Sequence, residues 1–464
     1  MIPTDGGAPF AEAALAVPSL RAARLVERLE RYRVRLAESD ADAVVVHGSV
    51  VRTIGLVIEV RGIHAGIGER CFVETERGRL VPAEVVGFDG GRVMLMAESH
   101  GDGLAPGARV IPAGRAGDVA VGPQLLGRVL DGLGQPLDGR GRLGCSERVP
   151  LFGRPVNPLQ RALVAAPLDV GVRVVNALLT IGRGARFGLF AGSGVGKSVL
   201  LGMMARYTSA DAVVVGLVGE RGREVREFVE GILGTAGLAK AVVVAAPADA
   251  SALGRIHGAY RAMAIAEYFR DCGQHVLLLI DSLTRLAMAQ REIGLAIGEI
   301  PASRGYPPSV FQRIATLCER AGNGEDGIGS ITGIFTVLVE GDDLDDPVGD
   351  ATRSILDGHL VLSRRLAEGG HFPALDIAAS VSRVMASVVS AEQMASARRL
   401  KALWHRLEES RDLIAIGAYR PGHDAELDRA VALRPAIERF LRQDIGTAVT
   451  LSDSVAALAE LAGE

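Results

Sequence analysis

The stretch RFGLFAGSGVGKSVLLGMMARY, residues 186–207, constrains the fold of this chain more than any other. An apolar run of strand length enters a glycine-rich loop and leaves it as a helix-forming segment. That succession is the setting in which a phosphate-cradling loop works. Consecutive backbone N–H groups curl round phosphate oxygens, and the helix that follows presents its positive end. The pattern G-x-x-x-x-G-K-[ST] is met with one small departure, Ala191 in place of the first glycine. Gly192, Ser193, Gly194, Val195, Gly196, Lys197, Ser198 and Val199 are therefore the candidate nucleotide-binding residues. The chain holds three lysines, Lys197, Lys240 and Lys401, among 51 basic residues. Shape explains the lysine at 197: a compact ammonium with three rotatable donors can bridge β- and γ-phosphates inside a tight loop, and a planar guanidinium fork does not fit there. Ser198 would offer its hydroxyl to Mg²⁺.

A strand feeding such a loop needs parallel partners, and the sequence beyond residue 160 supplies them. RFGLFAG, DAVVVGLVGE, KAVVVAAPAD, HVLLLIDS and GSITGIFTVLVEG are continuous apolar runs. Helical stretches lie between several of them, for example 257–272, which stops at Cys272-Gly273. Such a pattern predicts a parallel sheet covered on both faces. Asp281 ends the run HVLLLID, where a carboxylate at the carboxyl edge can hold the water shell of Mg²⁺. A strand-end aspartate can equally cap the next helix. Glu220 ends VVVGLVGE and can orient a water at the γ-phosphate side; the alternative is simple pairing with Arg221 or Arg223. SRGYPPSVFQR and EGDDLDDPVGD read as loops, the acidic one as a solvated turn rather than a metal site. None of the nine histidines falls in H-x-H or H-E-x-x-H, which argues against a zinc enzyme.

The rest of the chain changes character twice. In LRAARLVERLERYRVRLA, residues 20–37, Leu25, Leu29, Tyr32 and Leu36 form one helical stripe. This is either a solvated helix or a docking helix for a partner. From 46 to 112, TIGLVIEV, CFVE, RLVPAEVVGF and GRVMLMAE are short, β-rich and parted by glycine turns, as in a small barrel or sandwich. Residues 113–160 carry many Gly and Pro and read as a connecting segment. Past about 386 strands give way to a helical stripe, Leu400, Leu403, Trp404 and Leu407, with Gly417 as a stop.

With 48% apolar and 23% charged residues the composition is that of a soluble globular protein, and a net charge of −4 argues against a nucleic-acid binder. Cys71, Cys145, Cys272 and Cys318 form no C-x-x-C pair and read as reduced thiols. No secretory signal and no uncharged run of about 18 apolar residues is present, so the expectation is a cytosolic chain whose membrane contact is peripheral.

GRGARFGLFAGSGVGKSVLLGMMARYT, VGLVGERGREVREF, DCGQHVLLLIDSLTRLAMAQREIGLAIGEIPASRGYPPSVF and SILDGHLVLSRRLAEGGHFPALDIAASVSRV together resemble the rotary and export hexameric ATPases, relatives of the ATP-synthase catalytic subunit. The likeness is greatest to the flagellar protein-export ATPases and runs from about residue 25 to the C-terminus. It implies a RecA-like ATPase core at 116–388 behind a β-barrel oligomerisation domain at 46–115. A helical domain would follow at 389–464, and a partner-docking segment would precede at 1–45. It also implies that Glu220 activates the attacking water and that Arg383, in SVSR, is an arginine finger for the adjacent subunit. Phe372 would stack on adenine, keeping the ring but not the hydroxyl of the usual tyrosine. Arg221, Arg285 and Phe440 match further nucleotide-site positions.

The cofactors implied are ATP and Mg²⁺. The partners implied are a homohexamer of this chain, a stator-like export regulator, a central stalk-like protein near GEIPASRGYPPS, a membrane export gate, and export substrates with their chaperones. An injectisome ATPase of virulence secretion is the nearest rival. A non-catalytic ring subunit would have lost Glu220, and an RNA helicase would need a basic, aromatic-rich N-terminal domain.

Overall fold

The computed structural model describes residues 46–464, apart from 99–102, 116, 154–155, 326, 340–345 and 464. The expected docking helix at 20–37 lies outside the described residues. Six strands open the described chain: β1 (Gly48–Ile54), β2 (Val57–Arg61), β3 (Glu69–Glu74), β4 (Leu80–Asp89), β5 (Arg92–Ala97) and β6 (Arg109–Arg115). They close into a barrel in the order β1-β2-β5-β4-β3-β6. Alternate side chains, among them Ile58, Val60, Cys71, Val73, Val85, Leu95 and Val110, fill its interior, as the two-residue period of a strand requires. The closing strand RVIPAGR falls partly in the segment expected to be a connector, because Pro112 and Gly114 disguise it.

That segment contributes more. β7 (Asp118–Val121) pairs with β9 (Glu147–Pro150), and β8 (Val129–Asp131) lies parallel to β14 (Ala241–Ala246), with Val129 opposite Val243. After the short pair β10 (Pro167–Leu168) and β11 (Ile181–Gly182) come β12 (Arg186–Ala191), β13 (Ala212–Val218), β15 (His275–Asp281), β16 (Gly322–Asn323), β17 (Ser330–Leu338), β18 (Gly358–Val361) and β19 (Val381–Ser382). The nine-stranded sheet runs β19-β18-β12-β17-β15-β13-β14-β8, with β16 paired to β17. From β18 to β8 every neighbouring pair is parallel. In β13 Val213, Val215 and Leu217 belong to one apolar cluster, and Ala212, Val214 and Val218 to the other. Both faces of the sheet are thus packed, which is why these strands read as unbroken apolar runs.

The helix expected at 257–272 spans Ala252–Asp271 and starts where Ser251 Oγ accepts from the Gly254 N–H at 3.0 Å. The same hydroxyl donates to the Glu98 carbonyl at 2.6 Å, tying barrel to core. SRGYPPSVFQR is a loop only in its first half. Pro308 opens a helix to Arg320, a position where proline's fixed φ and missing N–H cost nothing. Likewise Asp346 caps a helix Pro347–Ile355.

Helices Ala391–Glu409, Arg411–Ala415, Ala425–Leu441 and Leu451–Gly463 complete the fold. The first, with Leu400, Trp404 and Leu407 buried, stops at Ser410; Gly417 follows the short second helix. The four cysteines are free thiols. Among the described residues no helix is long and apolar enough to cross a membrane.

Candidate active site

β12 ends at Ala191 and the chain turns through residues 192–196 into the helix Lys197–Tyr207. Gly194 and Gly196 hold φ of 78° and 93°, the left-handed region that glycine enters without a Cβ penalty. Val195 is buried under the loop, Ser193 is exposed at its tip, and Ser198 and Val199 lie half-buried in the first helical turn. The helix is seated from behind by a π-helical turn, Glu227–Leu233. A Cβ at Gly202 would fall 1.8 Å from Ile232 Cγ2, so the Ile232 side chain packs on the helix backbone only because position 202 has no side chain.

Three of the predicted side chains converge behind the loop. Lys197 Nζ donates to Glu220 Oε1 at 3.0 Å and makes a short bond to Asp281 Oδ1. Thr336 Oγ1, from β17, donates to the same Asp281 oxygen at 2.7 Å. Burial opposes the Lys197 charge, yet Asp281 and then Glu220 hold its ammonium above the ordinary lysine value. Burial pushes the Asp281 carboxyl up, with Lys197 opposing. One ammonium between two carboxylates favours the ion-paired state.

Both alternative readings of these acids fail. The cap of the helix Leu283–Ala296 is Ser282, whose Oγ accepts from the Arg285 N–H at 3.3 Å, so Asp281 is not its cap. Glu220 takes Lys197 as its partner, whereas Arg221 turns outward, 80% exposed, toward Glu224 at 3.5 Å. The Glu220 backbone is pinned from β14: Gly219 N–H donates to the Ala246 carbonyl at 2.7 Å, and Ala248 N–H to the Glu220 carbonyl at 3.0 Å. The Arg285 side chain lies along Gly219, 2.7 Å from where a Cβ would stand.

The aromatic candidates separate. Phe372 is 45% exposed, and its ring edge lies 3.6 Å from a Cβ built on Gly196, beside the loop. Phe440 is 6% exposed, packed among the C-terminal helices under the Arg173 guanidinium, which leaves little of its ring open to a ligand. The chain just past its helix nonetheless touches the adenine candidate, because the Gln443 N–H donates to the Phe372 carbonyl at 3.0 Å.

Arg383 stands elsewhere. Its N–H bonds the Asp357 carbonyl at 2.9 Å, and the Asp357 N–H bonds the Arg186 carbonyl at 2.8 Å. It therefore sits level with the first residue of β12, and Ala191 lies five residues further along that strand. At about 3.3 Å per residue that is roughly 16 Å of strand. A cavity of about 220 Å³ lies beside the loop, between Ala191–Gly192 and Val361–Arg365. A larger cleft of about 860 Å³, lined by Phe152, Arg161, Arg186 and Glu319, opens at the other end of the sheet and takes no part in this site.

Two contributors escape sequence reasoning. Thr336 is a fully buried hydroxyl inside an apolar strand, and that misplaced polarity was its one signal. Gly202 reads as an ordinary helix-interior glycine until Ile232 is placed against it.

A parallel sheet with a phosphate loop on one strand and loop-facing carboxylates after two others, behind a barrel and ahead of a helical segment, defines a RecA-like nucleotide-binding protein. Comparison with known families agrees. The nucleotide-binding domain of the ATP synthase alpha/beta family matches residues 171–382, its beta-barrel domain matches 50–114, and the T3SS EscN ATPase C-terminal domain matches 389–460. The chain is 56% identical to a flagellum-specific ATP synthase of Pseudomonas aeruginosa, over 90% of this chain and 93% of that one. It is 53% identical to that of Salmonella typhimurium, over 94% and 98%. A type 3 secretion system ATPase of Xanthomonas euvesicatoria is 49% identical over 86% and 90%. Among solved structures, assembled EscN of enteropathogenic E. coli superposes with a TM-score of 0.85 at 42% identity, covering 89% of this chain and all of EscN. EscN with its central stalk EscO gives 0.82. The chain belongs to the ATP synthase alpha/beta family, within its group of flagellum-specific ATP synthases and type III secretion ATPases.

Proposed function

We propose that this chain hydrolyses Mg–ATP as one subunit of a homohexameric ring, and that hydrolysis drives or assists export of flagellar subunits through the flagellar type III secretion apparatus. The observation that carries the reading is the contact of Lys197 with Glu220 and Asp281 directly behind the phosphate loop. Loop N–H groups from Gly192 to Val199 receive the phosphates. Lys197 exchanges Glu220 for β- and γ-phosphate oxygens as they enter. That exchange frees the Glu220 carboxylate to orient water for in-line attack and accept its proton. Phe372, open and beside the loop, offers a stacking face for adenine.

Ser198 and Asp281 are hard oxygen donors of the kind Mg²⁺ takes alongside phosphates and waters, and the buried Asp281 carboxylate fits that ion. When bound, the ion would neutralise charge on the β- and γ-phosphates. Arg383, far from its own loop, would complete a neighbour's site; a finger supplied in trans contributes about 10³–10⁵ in turnover in related systems. Arg221 and Arg285 would support the rim of the site.

The named relatives support the flagellar assignment over an injectisome one, and the solved EscN–EscO complex supports a stalk-like partner. The stator-like regulator, the export gate at the cytoplasmic membrane, and substrates with their chaperones complete the proposed setting. Glu220→Gln tests the chemistry. It is expected to bind ATP while turnover falls about 10²–10⁴-fold; wild-type turnover would remove Glu220 from the mechanism.

A further inference from the structure

The sheet edge that carries Arg383 also carries a fixed row of exposed apolar side chains. A strap, residues 158–164 (PLQRALV), runs along the amino ends of the strands. Leu159 is 95% exposed and Leu163 is 89% exposed. These leucines are held outward by bonds at several points. Arg161 donates to the carbonyls of Ala321 at 2.6 Å and Glu319 at 2.7 Å. Asn323 Nδ2 donates to those of Ala162 at 2.9 Å and Leu163 at 3.1 Å. Ser387 Oγ reaches the Val164 carbonyl at 3.4 Å, four residues beyond Arg383. Ile328, 56% exposed, and Val381, 42% exposed, lie on the same edge. Apolar side chains held outward on one edge suit an association surface.

We infer that this strap docks on the neighbouring copy of the same chain, against the rim of its phosphate-loop edge. The inference rests on the proposal that Arg383 serves a neighbour's site. Arg383 can do so only if its edge of one subunit faces the loop edge of the next, and the strap shares that edge. The contact is head-to-tail, using two different surfaces, and the nucleotide site is incomplete without it. The leucines supply adhesion while Arg383 supplies chemistry, so the two functions separate by mutation.

The test measures assembly by sedimentation velocity and ATPase rate per subunit against concentration, on the full chain. In Leu159→Asp/Leu163→Asp, assembly and half-maximal specific activity are expected to need at least about tenfold more protein. The plateau rate should stay within about twofold of wild type, and the melting temperature of dilute protein should not change, because both side chains are already exposed. Leu163→Ser should shift assembly the same way by less. Wild-type assembly by both variants, as expected if some other protein occupies the strap, overturns the inference. So does a lowered melting temperature in Leu163→Ser with no assembly shift. Arg383→Ala separates the underlying reading: it should assemble at wild-type concentrations yet remain slow at the plateau. Normal turnover there would remove the finger while sedimentation still decides the strap.

Discussion

Lys197 has a companion at the other end of its own helix. Lys240 Nζ donates to the Thr208 carbonyl at 2.9 Å, where the helix Lys197–Tyr207 ends, a favourable place for a cation. At that position an arginine could substitute, since a carbonyl asks only for a donor. Lys197 is different, because its side chain is only 10% exposed, its ammonium lies between two carboxylates, and on the proposed reading it must exchange Glu220 for phosphate oxygens. Lys197→Arg is therefore expected to lose about 10²–10³ in turnover although charge is kept, the loss typical of removing one positioned donor. Steady-state ATPase assays check this, and a rate within twofold of wild type would defeat the argument from shape. Most of this triangle was legible, because the loop motif named Lys197 and strand-end position named Asp281 and Glu220. Thr336 was not, since nothing in GSITGIFTVLVEG sets it apart from Thr332 until β17 is placed between β12 and β15.

The phosphate-loop helix and the π-helical turn act as one piece. Gly202→Ala forces Ile232 aside and is expected to cost about 1–3 kcal/mol, the usual penalty of overpacking. Chemical denaturation should find Gly202→Ala/Ile232→Ala less destabilised than the sum of the single variants, since contacting side chains are not additive. Additive losses would place the two apart. Element type was readable wherever apolar runs were long, as in AVVVGLV, with all seven residues buried. It failed where proline was taken as a breaker. Pro308 and Pro347 begin helices, and Pro112 sits within the closing strand of the barrel. Gly-rich 113–160 hid β8 because three residues are too few for a period to show.

Across the whole molecule, barrel and core are joined rather than strung together. Ser251 bonds Glu98, and the His257 Nε2 and Glu84 carboxylate approach within 2.7 Å. Val57 and Met96 of the barrel belong to the same apolar cluster as the helix Ala252–Asp271. A subunit of this build holds its barrel fixed to its ATPase sheet, so the proposed ring, if formed through both, should assemble cooperatively. Wild-type ATPase per subunit is then expected to rise more steeply than linearly with protein concentration before levelling. A flat profile across the range where sedimentation shows monomers would mean that one subunit suffices.

The separation of Arg383 from the phosphate loop along the same parallel strands has one further consequence. In the proposed ring every subunit would point its arginine edge toward one neighbour and its loop edge toward the other, so the circumference would have a sense, clockwise distinct from anticlockwise. A spent nucleotide would then be felt first by the neighbour whose arginine touched it rather than symmetrically by both. The two directions of firing round such a ring would therefore be inequivalent, the difference being set by the direction of the strands in the sheet.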